Sequence, residues 1–384
     1  MTKYIHGLSG KQTVQDVLDA NRGAGPGFDF WRFFLSSSVI FLHSFHVCYG
    51  VHNGGDRVLI LNPFFGMILP IFFGLSGFLV AGSAIRTENV GIFISFRAIR
   101  LVPALAVEVT LSALIVGPLL TTVSLKEYFI SHKFFIYWGN IIGRVRYQLP
   151  GLFEHNPVAL TVNENLWTLH AELECYVIMS IFMISGIIHR RLLSISVWAL
   201  ATLIMAIMSF EKGWFLRGSI YPASVFVYSF CTGVVAFLWR DKIILSKLVL
   251  IFSIISYIVF YYFRISGIIA ILPLIYIMIW VGSNEKFKFN VLNHGDYSYG
   301  LYLYGFVIQK TLILLLPRLR EWWFVFPTSL IITLIFSMAS WNFVEKPALK
   351  MKKYISRRGA NPASPVHGHE QRKQEMRRLK SDLI

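Results

Sequence analysis

The sequence predicts an all-α polytopic membrane protein, and three observations predict it. Hydrophobic residues make up 55% of the 384-residue chain and mean hydropathy is +0.59, far above a water-soluble domain. Charged residues are only 15%, and they gather between apolar stretches. About ten windows are apolar over roughly 20 residues, the length a helix needs to cross a hydrocarbon core.

The windows lie near 33–51, 62–84, 100–121, 166–188, 192–209, 221–239, 245–263, 266–282, 298–317 and 323–343. The connection 83–99 is amphipathic and basic. The connection 122–165 is the longest, and its Trp138, Tyr147, Pro150 and Pro157 predict a surface-lying, partly re-entrant segment. Residues 1–27 are a polar lead-in without the apolar core of a cleavable signal peptide. Residues 28–350 hold the membrane domain. Residues 351–384 form a basic tail that reads as disordered.

Charge sets the orientation. From Met351 onward the chain holds nine Lys/Arg against three Asp/Glu, a net of +6. An inside N-terminus also puts Arg86, Arg97, Arg100, Arg190, Arg191, Arg240, Lys242, Lys247, Lys286 and Lys288 in cytoplasmic connections, against Lys126, Lys133, Arg144, Arg146, Lys212, Arg217, Arg264, Arg318 and Arg320 on the other side, so the loops alone are ambiguous and the tail decides. Both termini are therefore expected inside. The formal net charge of +16 then belongs to span flanks, and nucleic-acid binding is not expected. Cys48, Cys175 and Cys231 all sit in apolar runs, with no spacing that suggests a metal site or a disulfide.

Ionisable residues inside the windows are costly, so each is a candidate site. In "WRFFLSSSVIFLHSFHVCYG" (31–50), Arg32 and His43 are eleven residues apart. That spacing is three helical turns plus roughly 20°, so both project from one face, about 16 Å apart along the axis. A snorkelling arginine and a packed histidine are the competing reading. His46 follows at i+3, but without a third ligand in register no metal is expected. In "FRAIRLVPAL" (96–105), Arg97 and Arg100 share a face, and two guanidiniums suit a phosphorylated ligand. Positive-inside anchoring competes with that reading. Before them, Gly74, Ser76, Gly77 and Gly82 permit close helix approach.

In "NENLWTLHAELECY" (163–176), Glu172 and Glu174 interrupt an apolar helix. A carboxylate there could orient a hydroxyl or pair with an imidazolium. Tyr176, at i+4, could bond Glu172, and Trp167 suits a span end. In "GDYSYGLYLYG" (295–305), Asp296 is a helix N-cap candidate. In "WNFVEKP" (341–347), Glu345 and Lys346 end the last window, with Pro347 as a helix stop.

The motifs in this order resemble the acyltransferase family 3 group of membrane proteins, from about Phe28 to Pro347. Arg32 and His43 match its Arg/Lys, ten residues, His signature. "FFGLSGFL" matches its second-span motif, and Arg97 with Arg100 its Arg-x-x-Arg pair. "LWTLHAELECY" resembles its Trp-Ser-Leu…Glu…Tyr motif, with Thr168 for Ser and Glu172 as the acid. One departure matters: Gly305 stands where many relatives carry a histidine, so His43 bears the chemistry alone.

The resemblance implies an O-acyltransferase of the bacterial cytoplasmic membrane. Its co-substrate would be cytoplasmic acyl-CoA, usually acetyl-CoA, with no permanently bound cofactor. Its acceptor would be a hydroxyl of an extracytoplasmic or lipid-linked glycan. It implies Arg32, Arg97 and Arg100 on the donor, His43 and Glu172 as catalytic groups with Glu172 on the side where the glycan enters, and Trp167, Glu174 and Tyr176 on the acceptor side or in support. A proton-coupled transporter or acyl-group translocator is the rival from another class. The chain shows neither an internal repeat nor paired broken helices, which weighs against that rival.

Overall fold

A computed structural model describes residues 12–21, 23, 25–56, 59–214, 222–263, 265–288 and 295–359. Residues 1–11 of the lead-in, the tail from 360, and Arg217 and Arg264 lie outside the described residues. The described chain is helical, with no named strand.

The first helix, α1 (Val14–Ala20), opens on a capping box in which Thr13 and Asp16 satisfy each other's backbone donors. It docks beside the 240–245 turn through a backbone bond from Val14 N to Ile243 O (3.0 Å) and one from Leu245 N to Gln12 O (2.9 Å). Helix α2 (Phe28–Asp56) carries the Arg32/His43 face and kinks at Gly50, whose φ of 80° suits glycine. Then come α3 (Asn62–Thr87) and α4 (Val90–Leu111). A π-helical turn, Ser112–Val116, joins α4 to α5 (Gly117–Leu120).

The long connection holds α6 (Leu125–Ile130) and α7 (His132–Tyr137). Its second half, the loop expected to be partly re-entrant, folds into the bundle: Leu149, Leu152, Phe153 and Val162 are buried, and Asn156 donates to the Lys310 carbonyl (3.0 Å). Next come α8 (Thr168–Ile184), α9 (Arg191–Lys212), α10 (Ala223–Leu238), α11 (Lys247–Tyr262) and α12 (Ile271–Gly282). The chain ends in α13 (Ser298–Leu315), α14 (Trp322–Ser340), a second π turn at Trp341–Glu345, α15 (Lys346–Lys350) and α16 (Lys352–Gly359).

Among the described residues, six helical stretches are long and apolar enough to cross a membrane: Phe28–Gly50, Asn62–Thr87, Val90–Leu120, Glu164–Ile184, Arg191–Lys212 and Trp322–Ile355. Three shorter apolar helices, α10 to α12, and α13 occupy the other four expected windows. Pro347 does not stop the last helix. The π turn before it resets the bonding, so Pro347 falls in the first turn of α15, where its missing N–H costs nothing.

The small residues of α3 do what the sequence suggested. A Cβ on Gly77 would lie 2.0 Å from the Phe230 carbonyl oxygen, and one on Gly233 2.0 Å from the Gly74 oxygen. Helices α3 and α10 thus meet backbone to backbone. A large core forms around α2, α3, α8, α10 and α12. A second joins α4, the re-entrant loop and α13. The polar residues described next lie along α2 and α13 and the segments that pack on them.

Candidate active site

At one end of the bundle, Asp296 gathers the cations. Its Oδ1 accepts from the Ser298 backbone N–H (3.3 Å) and hydroxyl; the N-cap of α13 is Tyr297, so Asp296 stands one residue before the cap position the sequence suggested. Its Oδ2 accepts from Arg32 (2.8 Å) and from Arg100 (2.6 Å). Arg100 also donates to the buried Glu345 (3.2 Å), whose other oxygen accepts from Ser340 (3.2 Å). The Tyr299 and Trp341 rings flank the same guanidinium at 5.7 and 5.9 Å. The network therefore ties the starts of α2 and α13, the first half of α4 and the end of α14 together.

Arg97 has a different environment, although it shares the Arg100 face. It donates to the Ser83 hydroxyl (3.2 Å), and its Nε has no partner within the protein. Its ring neighbour is Phe93, at 5.7 Å. Arg97 has no carboxylate ion pair among the described residues. Its electrostatic partners are Glu172 and Tyr176 on α8. Lys352, above the Phe96 ring at 5.3 Å, adds a further cation at this end.

Glu172 accepts from the Tyr176 hydroxyl (2.5 Å), the i+4 bond the spacing suggested. Its strongest charged neighbours are Arg97 and Arg100, so it belongs to the arginine end of the site and not to the His43 imidazole. Glu174 points away from Glu172. It pairs with His170 (3.1 Å), and both side chains are exposed. Trp167 packs on Phe226 in the large core, with ring centroids 5.4 Å apart.

His43 lies about three turns along α2 from Arg32, as its spacing requires. Its ring meets the edge of Phe306 on α13 at 5.0 Å. The Asn165 side chain faces it from the 164–167 turn, and His43 Nδ1 has no partner within the protein. Gly305, where the resemblance suggested a missing histidine, is a contact point. A Cβ there would reach Ile40 Cγ1 at 2.8 Å, so α2 and α13 approach too closely for a side chain.

The turn 163–168 is latched to α13. Asn165 donates to the Tyr302 carbonyl (2.5 Å), and Thr168 shares a 2.6 Å bond with the Tyr302 hydroxyl. Asn163 bridges the Leu303 carbonyl and the buried Glu108, each at 2.9 Å. Tyr302 is coupled electrostatically to Glu172 on one side and Glu164 on the other. A file of polar side chains therefore runs from Arg97 through Glu172, Tyr302, Thr168 and Asn165 to His43.

Sequence reasoning missed several of these groups. Glu108 and Lys310 are buried ionisable residues inside apolar windows, and the rule applied to Glu172 flags them equally. Glu164 stood in the quoted motif without a role. The structure brings it to within 4.8 Å of His43 and His46, counting one ligand atom from each. It thereby supplies the third ligand that the His43/His46 spacing lacked.

Comparison with known proteins agrees with the geometry. The model of a family described as "Acyltransferase domain" matches residues 26–342. The chain is 26% identical over 361 residues to "Nodulation protein 10" of Rhizobium leguminosarum bv. viciae, covering 86% of this chain and 95% of that protein. It is 27% identical over 301 residues to the "O-acetyl transferase" of Shigella phage Sf6, covering 73% of this chain and 84% of that protein. No solved structure matches the chain. The chain belongs to the acyltransferase family, as a membrane-embedded O-acyltransferase.

Proposed function

We propose that the protein takes an acetyl group from cytoplasmic acetyl-CoA and transfers it to a glycan hydroxyl on the far side of a bacterial cytoplasmic membrane. The observation that carries this reading is the polar file. It starts at three arginines and ends at an imidazole about 16 Å away along α2. Coenzyme A has an anionic phosphorylated head and a long thin arm, so its two ends need what the two ends of the file offer. Ten spans with both termini inside would put the arginine end on the cytoplasmic face, as the basic tail also favours. The name of the phage relative supports acetyl as the group transferred.

Each residue then has a task. Arg97, unpaired with any carboxylate among the described residues, grips donor phosphate. Arg32 and Arg100, already held by Asp296, shape the mouth and supply positive field. Glu172, held by Tyr176, keeps Arg97 in place beside the donor's arm. His43 meets the thioester. The reaction breaks the thioester C–S bond and forms an ester C–O bond. The hydroxyl proton ends on the coenzyme A sulfur.

Protein in sealed proteoliposomes, given labelled acetyl-CoA and a membrane glycan extract, should yield labelled glycan. The label should be lost in His43→Ala. Label that stays on free solute and crosses the membrane unreacted would favour a carrier instead.

A further inference from the structure

Beyond His43 lies a second set of groups that the file does not use. His46 is one turn further along α2, with ring centroids 6.1 Å apart. Its Nδ1 faces a Glu164 carboxylate oxygen at 3.6 Å. His43 has no such carboxylate. Around this point three buried polar atoms have no hydrogen-bond partner within the protein, His43 Nδ1, His46 Nε2 and Asn165 Oδ1, and the Glu164 oxygen that faces His46 Nδ1 accepts no hydrogen bond either. Unpartnered buried groups are costly, and three of them beside one carboxylate mark a place built to meet a polar ligand. Lys310 stands behind them. It is fully buried, donates to the Val158 carbonyl of the re-entrant loop, and lies over the Phe153 ring at 5.2 Å. Its charge acts on both Glu164 and His46.

We propose, resting on the acyl-transfer reading above, that His46 is the base that takes the proton of the acceptor hydroxyl, with Glu164 as its positioning residue. A carboxylate on one ring nitrogen fixes the imidazole's orientation and leaves the other nitrogen free to accept a proton. His46 has that arrangement, with Nδ1 toward Glu164 and Nε2 free. His43 is left to serve the thioester. The ligand atoms of His43, His46 and Glu164 lie within 4.8 Å of one another. A single hydroxyl entering that space can therefore reach both rings at hydrogen-bonding distance.

The step balances. The hydroxyl oxygen attacks the acyl carbon, and its O–H proton passes to His46 Nε2. The C–S pair leaves on sulfur. The proton then passes through His43 to that thiolate, giving ester and free thiol. The rival use of the same three ligands is a divalent metal ion. The adjacent Lys310 ammonium disfavours it, because it already balances the Glu164 charge and would repel the ion.

The test uses membranes of cells expressing the protein, whose own glycans serve as acceptor, with labelled acetyl-CoA. Hydroxylamine is the second acceptor, because it is nucleophilic enough to need little help from a base. In His46→Gln and Glu164→Gln, label on glycan should fall about 10²-fold or more, the usual worth of a positioned base. Acetohydroxamate formation should fall far less. Glu164→Asp should recover part of the glycan labelling. Undiminished glycan labelling in both variants overturns the proposal. Equal loss toward both acceptors also overturns it, since the cluster would then serve the donor or the fold. So does tightly bound zinc that disappears with either variant and whose chelation stops transfer. If wild-type membranes form neither product, the acetyl-CoA reading itself has failed, and this proposal with it.

Discussion

Arg97 and Arg100 are three residues apart on one helix face, yet their removal should have different consequences. Arg97→Ala costs the fold one bond to a neutral hydroxyl, Ser83, worth about 1 kcal/mol. If Arg97 holds donor phosphate, the same change removes a hydrogen bond between charged groups, worth about 1.5–3 kcal/mol. Each 1.4 kcal/mol is about tenfold in affinity, so the acetyl-CoA Kd should rise about tenfold to a hundredfold. Arg100→Ala instead strands Glu345, only 2% exposed, and removes one of the two guanidiniums on Asp296. Removing one partner of a buried pair costs about 3–5 kcal/mol, so its main effect should be lost stability. Adding Glu345→Gln to Arg100→Ala should restore part of that stability, because the orphaned charge is gone. Titration calorimetry with acetyl-CoA and thermal unfolding, both in nanodiscs, read the two effects separately. Unchanged affinity in Arg97→Ala would refute the donor assignment. Equal unfolding in the two single variants would refute the division of labour between the arginines.

Other expectations follow from the same contacts. His43→Ala should reduce transfer to any acceptor by at least about 10²-fold without loss of fold, checked by labelled product and thermal unfolding. Glu172→Gln keeps the shape and the Tyr176 neighbour but frees Arg97, so donor affinity should weaken; an unchanged Kd would reduce Glu172 to a packing contact. Gly77→Ala should abolish the folded protein, since its Cβ would meet the Phe230 carbonyl oxygen at 2.0 Å, while Gly91→Ala, which meets only the Asn89 side chain at 3.3 Å, should be tolerated; yield of monodisperse protein checks both. A cysteine at Ser364 should escape an impermeant thiol reagent in intact cells while one at Gln148 reacts, and the reverse pattern would invert the orientation.

The helices were legible because apolar length is a one-dimensional property. Each window near 33–51, 62–84 and 100–121 maps onto a helix, and Glu172 and Tyr176 meet because i+4 neighbours must. The sequence could also place Arg32 and His43 on one face. It could not say what faces them. Asp296 read only as a helix cap, because it stands just before α13 and one oxygen does bind Ser298; the cap position is Tyr297, and the second Asp296 oxygen takes two arginines distant in sequence. Glu172 was expected near the acceptor from its place early in its span, but α8 packs against α4 so that it meets Arg97 instead. Pro347 looked like a stop because the π turn before it leaves no sequence signal strong enough to read. Glu164 was invisible as a partner of His46, since the turn carrying it is positioned by Asn163 and Asn165 bonding to α13.

The Asp296 clamp also bears on when the protein becomes active. Arg32 is made early, but its partner is 264 residues later, and Arg100 waits 245 residues for Glu345. Neither arginine has Asp296 until the start of α13 is made, and Arg100 lacks Glu345 until the chain has passed α14, so the clamp is complete only at the end of the helical bundle. A nascent chain therefore carries His43 before the arginine cluster along the same helix is complete, and a chain truncated before α14 should show no transfer activity. The long-range clamp works as a completeness check, read in ion pairs, on a protein whose reactive end is translated first.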